Sequence, residues 1–141
     1  MSKQGIHPES MFAAGPYSHA IRTGNLVFLS GKTGTDGAGK LVGGGITEQT
    51  QQTFANLKVV LEAAGLGFEH VVKCNVYLTS MGDFIAMNAV YGAHFNEPQP
   101  ARTTVAVAAL PGGAAVEIEM VAEAADRWVL QDAGPGMVLQ P

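Results

Sequence analysis

The chain has 141 residues with 8 basic and 12 acidic side chains, so charged groups make up 14% of it, against about 25% in an ordinary soluble domain, while 47% is apolar. That balance excludes a disordered chain, and the length fits one domain around one core. A net charge of −4 carried with scattered single lysines and arginines argues against nucleic acid as the main ligand, and no apolar run approaches the roughly 20 residues of a membrane span.

In chain order, residues 17–23 (YSHAIRT) and 26–30 (LVFLS) read as two short strands joined by a tight turn at Gly24-Asn25. A glycine-rich stretch, 31–45, contains a third expected strand at 40–42. Residues 46–65 carry Phe54, Leu57, Leu61 and Ala64 at spacings of three and four, the stripe of an amphipathic helix, with Thr47 as its expected cap and Gly65 at its end. From 70 to 79 the period becomes two, and Val72, Cys74, Val76 and Leu78 share one strand face. A second helix is expected over 83–95, with Phe84, Met87 and Tyr91 on one side and Pro98 forbidding its continuation. Two last strands, 101–110 and 115–123, flank Pro111-Gly112-Gly113. Six strands and two helices without strict alternation predict an α+β domain, its helices on one face of a mostly antiparallel or mixed sheet. Residues 1–124 form the expected domain and 125–141 a C-terminal tail.

Most familiar active-site patterns are missing. The glycines at 31–45 precede a helix that lacks Gly-Lys-Ser/Thr, so no phosphate loop is expected. His7, His19, His70 and His94 show no ligand spacing and read as structural, so no metal site is expected. One cysteine cannot make an internal disulfide, and MSKQGIHPES has no apolar leader core, so the chain reads as reduced and cytoplasmic. Cys74 alternates with valines and reads as a small buried hydrophobe. Arg102 opens a strand face otherwise made of Thr104, Ala106 and Ala108. It is either a strand-end cation reaching solvent or a fork that grips a carboxylate through paired donors, and spacing leaves both readings open. In the last strand Glu117, Glu119 and Glu123 oppose Val116, Ile118 and Met120. One of these carboxylates is a candidate general base, with an ordinary solvated face as the other reading.

Taken together, GPYSHA at 15–20, LSG at 29–31, DFxxxNxVY at 83–91, PARTTVAVAALP at 100–111 and VEIEMVA at 116–122 resemble the RidA family, also called YjgF or endoribonuclease L-PSP proteins. The resemblance spans roughly residues 10–124. It implies a chorismate-mutase-like α+β fold, a homotrimer with a central barrel, and a site in each cleft between subunits. It implies hydrolysis of reactive 2-enamine and 2-imino acids, such as 2-iminobutyrate and 2-iminopropionate, to 2-keto acids and ammonia without metal or organic cofactor. By motif position Arg102 is similar to the arginine that holds the substrate carboxylate and Glu117 to the carboxylate that activates water, with Tyr17 as a third catalytic position. Ser30, Gly31, Asn88 and Thr104 match the remaining pocket positions. Lys32 departs from the Gln that many relatives carry and adds a charge beside that pocket. Two other classes stand beside the deaminase: an endoribonuclease or translation inhibitor, as the family name records, and a non-catalytic module for small carboxylates.

The expected pairing of 101–110 with 115–123 as a hairpin sets Glu117 opposite Val107. Arg102 then lies about 17 Å away, too far to share one small substrate. Either the pairing is not a simple hairpin, or the two residues meet across a subunit boundary.

Overall fold

A computed structural model describes residues 2–124, together with the backbone of two strands at 129–132 and 138–140. The elements of the domain are β1 (Gln4–Ile6), β2 (Ala20–Thr23), β3 (Leu26–Lys32), α1 (Ile46–Ala63), β4 (Val71–Leu78), α2 (Phe84–Gly92), β5 (Ala101–Ala106) and β6 (Val116–Glu123). They build one six-stranded sheet in the order β1-β2-β3-β6-β4-β5, antiparallel except for the parallel pair β4–β5. The α+β class, the mixed six-stranded sheet and the two covering helices agree with the sequence reading.

One face of the sheet meets both helices. Val27 and Leu29 of β3, Cys74, Val76 and Leu78 of β4, and Val116, Ile118, Met120 and Ala122 of β6 point to it and are buried. They pack against Phe54, Leu57, Val60 and Leu61 of α1 and Met87, Val90 and Tyr91 of α2. Alternation therefore sends Glu117 and Glu119 to the opposite face, as their spacing predicts. There Asn75 donates to Glu119 Oε2 at 3.0 Å and the Tyr77 hydroxyl to Glu119 Oε1 at 3.2 Å.

Five local expectations are corrected. The sixth strand is Gln4–Ile6, whereas 40–42 contributes one isolated bridge between Thr35 and Leu41. In that loop Asp36 Oδ1 accepts from the amides of Ala38 and Lys40, which satisfies the backbone without a strand. Thr47 does not cap α1: the cap is Gly45, whose amide donates to Glu48 Oε1 at 2.8 Å. Gly65 does close α1, at φ +76°, with its amide on the Glu62 carbonyl and the Leu66 amide on that of Leu61. Val72 leaves the core face because the register shifts between Val71 and Lys73, so Val71 is buried and Val72 is exposed. The strand expected from Tyr17 begins at Ala20. Finally, β5 stops at Ala106, and it does not pair with β6.

That last correction matters most. Strand β4 lies between them, with Cys74 in register with Arg102 and Tyr77 with Glu117. Nine residues separate β5 from β6, and Pro111–Gly113 forms a 3₁₀ turn, so there is no tight hairpin loop. In the expected tail, Val129–Asp132 and Val138–Gln140 pair antiparallel; the rest of 125–141 lies outside the described residues.

Candidate active site

Arg102 occupies the helix-side face of β5, the edge strand. Its guanidinium carbon stands 4.6 Å from the centre of the Tyr91 ring and 5.6 Å from that of Phe84, so two aromatic faces of α2 fix the side chain. No carboxylate lies within ion-pair distance of it among the described residues. Around this strand-helix junction three side-chain oxygens are buried without a hydrogen-bond partner: Thr104 Oγ1 on β5, and Asn88 Oδ1 and the Tyr91 hydroxyl on α2. Orphaned polar atoms of this kind cost free energy unless something binds them. Among the described residues the group thus combines a forked cation without an ion-pair partner with polar atoms lacking partners.

Glu117 belongs to a second group. Its side chain packs over the backbone of Gly31, where an added Cβ would lie 3.0 Å from Glu117 Cδ and 3.1 Å from Cγ. The missing side chain is what lets the carboxyl lie there. Burial pushes the Glu117 pKa up, Glu119 adds to the rise, and Lys32 opposes it. Ser30 Oγ donates to the Ser18 carbonyl at 2.6 Å, and the Ser30 amide to the His19 carbonyl at 2.9 Å, which ties β3 to the segment entering β2. Tyr17 is 45% exposed, and its ring meets that of His19 edge-on at 6.0 Å.

The helix α1 holds this second group in place. Asn56 donates to the carbonyls of Thr33 and Thr35 at 2.9 Å each, and Gln49 Oε1 accepts from the Ala115 amide at 2.8 Å. One helix therefore anchors the chain just after Gly31 and just before Glu117.

Tyr17, Ser30, Gly31 and Glu117 are thus brought together, as are Asn88, Arg102 and Thr104, but the two sets are apart within one chain. Arg102 and Glu117 sit on opposite faces of the sheet, two strands apart and three register positions along, which amounts to about 10 Å in each direction. Cys74 is fully buried, and burial raises its pKa. Two residues that the sequence reading left outside the site belong to the Glu117 group. His19 is 3% exposed and bonded through Nδ1 to the ammonium group of Lys32. Lys32 is buried because of a register shift between Leu29 and Lys32, which no periodicity announces. A separate groove of about 650 Å³, lined by residues such as Lys58, Glu62, Phe68 and His94, includes none of the seven expected site residues.

Residues 8–124 match the family model of endoribonuclease L-PSP. The chain belongs to this family, the RidA/YjgF proteins. Among its relatives, protein DfrA of Myxococcus xanthus is 44% identical over 86% of this chain and 96% of its own length. The mouse protein named 2-iminobutanoate/2-iminopropanoate deaminase is 44% identical over 78% of this chain and 82% of its own. The crystal structure of RidA from an Antarctic Psychrobacter superposes with a TM-score of 0.80 at 43% identity, covering 85% of this chain and 98% of that one. All seven expected site residues fall inside the matched RidA-family span, while residues 125–141 fall beyond it.

Proposed function

We propose that this chain hydrolyses reactive 2-imino acids, and the 2-enamino acids that tautomerise to them, to 2-keto acids and ammonia. The site is shared between neighbouring copies in a homotrimer. The observation that carries this reading is the separation of two chemically incomplete half-sites. One holds a guanidinium with no acidic partner among the described residues, and the other a half-buried carboxyl over a bare backbone. Relatives at similar identity are named 2-iminobutanoate/2-iminopropanoate deaminase, which supplies the substrate class.

Each residue type suits a step. The paired donors of Arg102 donate to a substrate carboxylate bidentately, with the orphaned oxygens of Thr104 and Asn88 beside it, and fix the imine carbon for attack. Glu117 of the neighbouring copy takes a proton from water as the water adds to the protonated imine. The carbinolamine then expels ammonia, with Glu117 returning the proton to the departing nitrogen. Its raised pKa suits a group that must both accept and return a proton. The Tyr17 hydroxyl orients the water or the substrate. These steps use no metal or organic cofactor, and a substrate this reactive asks for a modest rate enhancement. An RNA-cleaving role would need clustered cations for phosphate; the chain instead carries a net charge of −4, with its lysines and arginines scattered singly.

The test measures keto acid and ammonia released from 2-iminobutyrate generated in situ. Arg102→Ala and Glu117→Gln should each lower kcat/KM by about 10²–10⁴. Mixing Arg102→Ala and Glu117→Ala chains under conditions that exchange subunits should restore part of the activity. Absence of any restoration after verified exchange rules out the shared site, and a wild type that releases no keto acid yet binds keto acids, with binding lost in Arg102→Ala, reduces the chain to a carboxylate-binding module.

A further inference from the structure

The groove of about 650 Å³ has no part in the steps above. Phe68, His94, Val71, Val72 and Pro98 give it an apolar lining. Its aromatic part is firmly held: the His94 ring lies flat on core residue Phe54, with 4.2 Å between centres and 7° between planes, and stands 5.2 Å from the ring of Phe68. Val72 is there because of the register shift in β4, which turns it out of the core and leaves it 45% exposed. Apolar side chains gathered around a concavity mark a binding surface.

The end of the domain supplies the occupant. Strand β6 runs antiparallel to β4, so the chain leaves β6 where it enters β4: Ala122 is in register with Val71, which lines the groove. Residues 125–141 follow, and Trp128, Val129, Leu130, Met137, Val138 and Leu139 make that segment strongly apolar. Trp128 lies four residues beyond Ala124, a reach of up to about 13 Å, whereas neighbouring strands stand only about 5 Å apart. The groove is within that reach. Val129–Asp132 and Val138–Gln140 pair as a two-stranded ribbon, and a ribbon of that size is stable only when packed on a surface. Charge agrees as well. Glu62, Glu69 and Glu97 line the groove with one cation, Lys58, while the segment carries Arg127 beside Trp128, and Lys58 is available to its Asp126 or Asp132.

We propose that segment 125–141 docks along this groove of its own chain, with Trp128 seated against Phe68 and His94. The groove is then an interaction surface whose partner is built into the same chain, in a segment beyond the 8–124 family span. The groove wall formed by residues 94–100 leads directly into β5, so the docked segment buttresses the strand that carries Arg102.

Trp128 is the only tryptophan of the chain, so its fluorescence reports on the segment directly. In the full chain its emission should lie at shorter wavelength than in a synthetic peptide of residues 125–141, and acrylamide should quench it less. Val72→Glu adds a carboxylate to the apolar lining at a position outside the core. It should move both readings to those of the peptide, whereas Val72→Ile should leave them at wild type. A wild-type emission equal to that of the peptide overturns the proposal. So does a shielded tryptophan that a folded Val72→Glu leaves unmoved, because the segment then packs elsewhere. A second measurement serves even where Val72→Glu does not fold. The double variant Val72→Cys, Trp128→Cys, treated with a short bis-maleimide, should become linked within one chain, Cys74 being fully buried. A link between two chains, or none, overturns the proposal. These readings do not involve imino acid hydrolysis, so docking stands or falls separately from the deaminase reading.

Discussion

Gly31 and Glu117 form a contact that a single methyl group tests. Gly31→Ala puts a Cβ against the Glu117 carboxyl, while the rest of β3 keeps its pairing. A flexible side chain can swing away, so the expected result is a folded protein whose melting temperature stays near wild type and whose kcat/KM falls at least tenfold through misplacement of one group. Equal turnover in the two proteins would detach Glu117 from the chemistry. The same carboxyl also links function to pH. Its pKa is raised in the folded chain, so the native state binds more protons than the unfolded one as pH climbs through the window starting at the ordinary glutamate range. Folding stability therefore falls across that window and stays lowered above the folded-state pKa. Glu117→Gln cannot ionise. It should melt above wild type at pH 7.5 and lose that advantage at pH 4, although its activity is gone at both. A variant less stable than wild type at pH 7.5 would mean that the carboxylate is stabilised by the fold.

Helix α1 shows how much positioning rests on backbone contact. A Cβ on Gly34 would stand 2.6 Å from the Gln49 carbonyl oxygen and 2.9 Å from its Cα, atoms that cannot rotate away. Gly34→Ala should cost about 1–3 kcal/mol, read by denaturant unfolding, because α1 must back off from the segment that follows β3. A loss below half a kcal/mol would mean the helix is loosely seated. Such contacts also explain which elements were legible. Helix α1 and strands β4 and β6 announce themselves because one face of each is apolar at a clean period, as in Val116, Ile118, Met120 and Ala122, and β3 does so through the apolar run at 26–29. Gln4–Ile6 escaped because three edge residues, mostly exposed, carry no period. The bulges that bury Val71 and Lys32 change parity at one point, and nothing in residue type marks the place. The hairpin expectation failed for a topological reason: proximity in sequence suggested that β5 and β6 pair, whereas α2 brings β5 back parallel to β4 on its outer side. For the candidate site, the motif positions named seven residues; which of them one chain groups together, and the Lys32–His19 clamp, come only from the fold, the clamp existing only after the β3 bulge.

At the scale of the whole molecule, the low charge content and the divided site have a common explanation. The sheet face turned away from the helices displays Phe28 on β3 and Val105 on β5, 44% and 41% exposed, around half-buried Asn75, Tyr77, Glu117 and Glu119. Among the described residues the apolar side chains there have no partner layer in one chain, and β5 leaves one edge of its backbone unpaired. A homotrimer that brings the β5 edge of one copy to the Glu117 group of the next would cover that surface and complete the site together. Assembly and activity should then be lost as one. Val105 is in register with Tyr77, which is in register with Glu117, so it lies on the expected contact face without belonging to either half-site. Val105→Arg places a charge where apolar contact is expected, and should convert a species of three times 14.6 kDa into one of 14.6 kDa in light scattering at micromolar concentration. Far-ultraviolet dichroism should be unchanged, since the side chain does not enter the core, and imino acid hydrolysis should fall to the level of Arg102→Ala. Activity in a monomeric Val105→Arg protein, or a wild type that is monomeric and active, would show that one chain brings Arg102 and Glu117 together by itself.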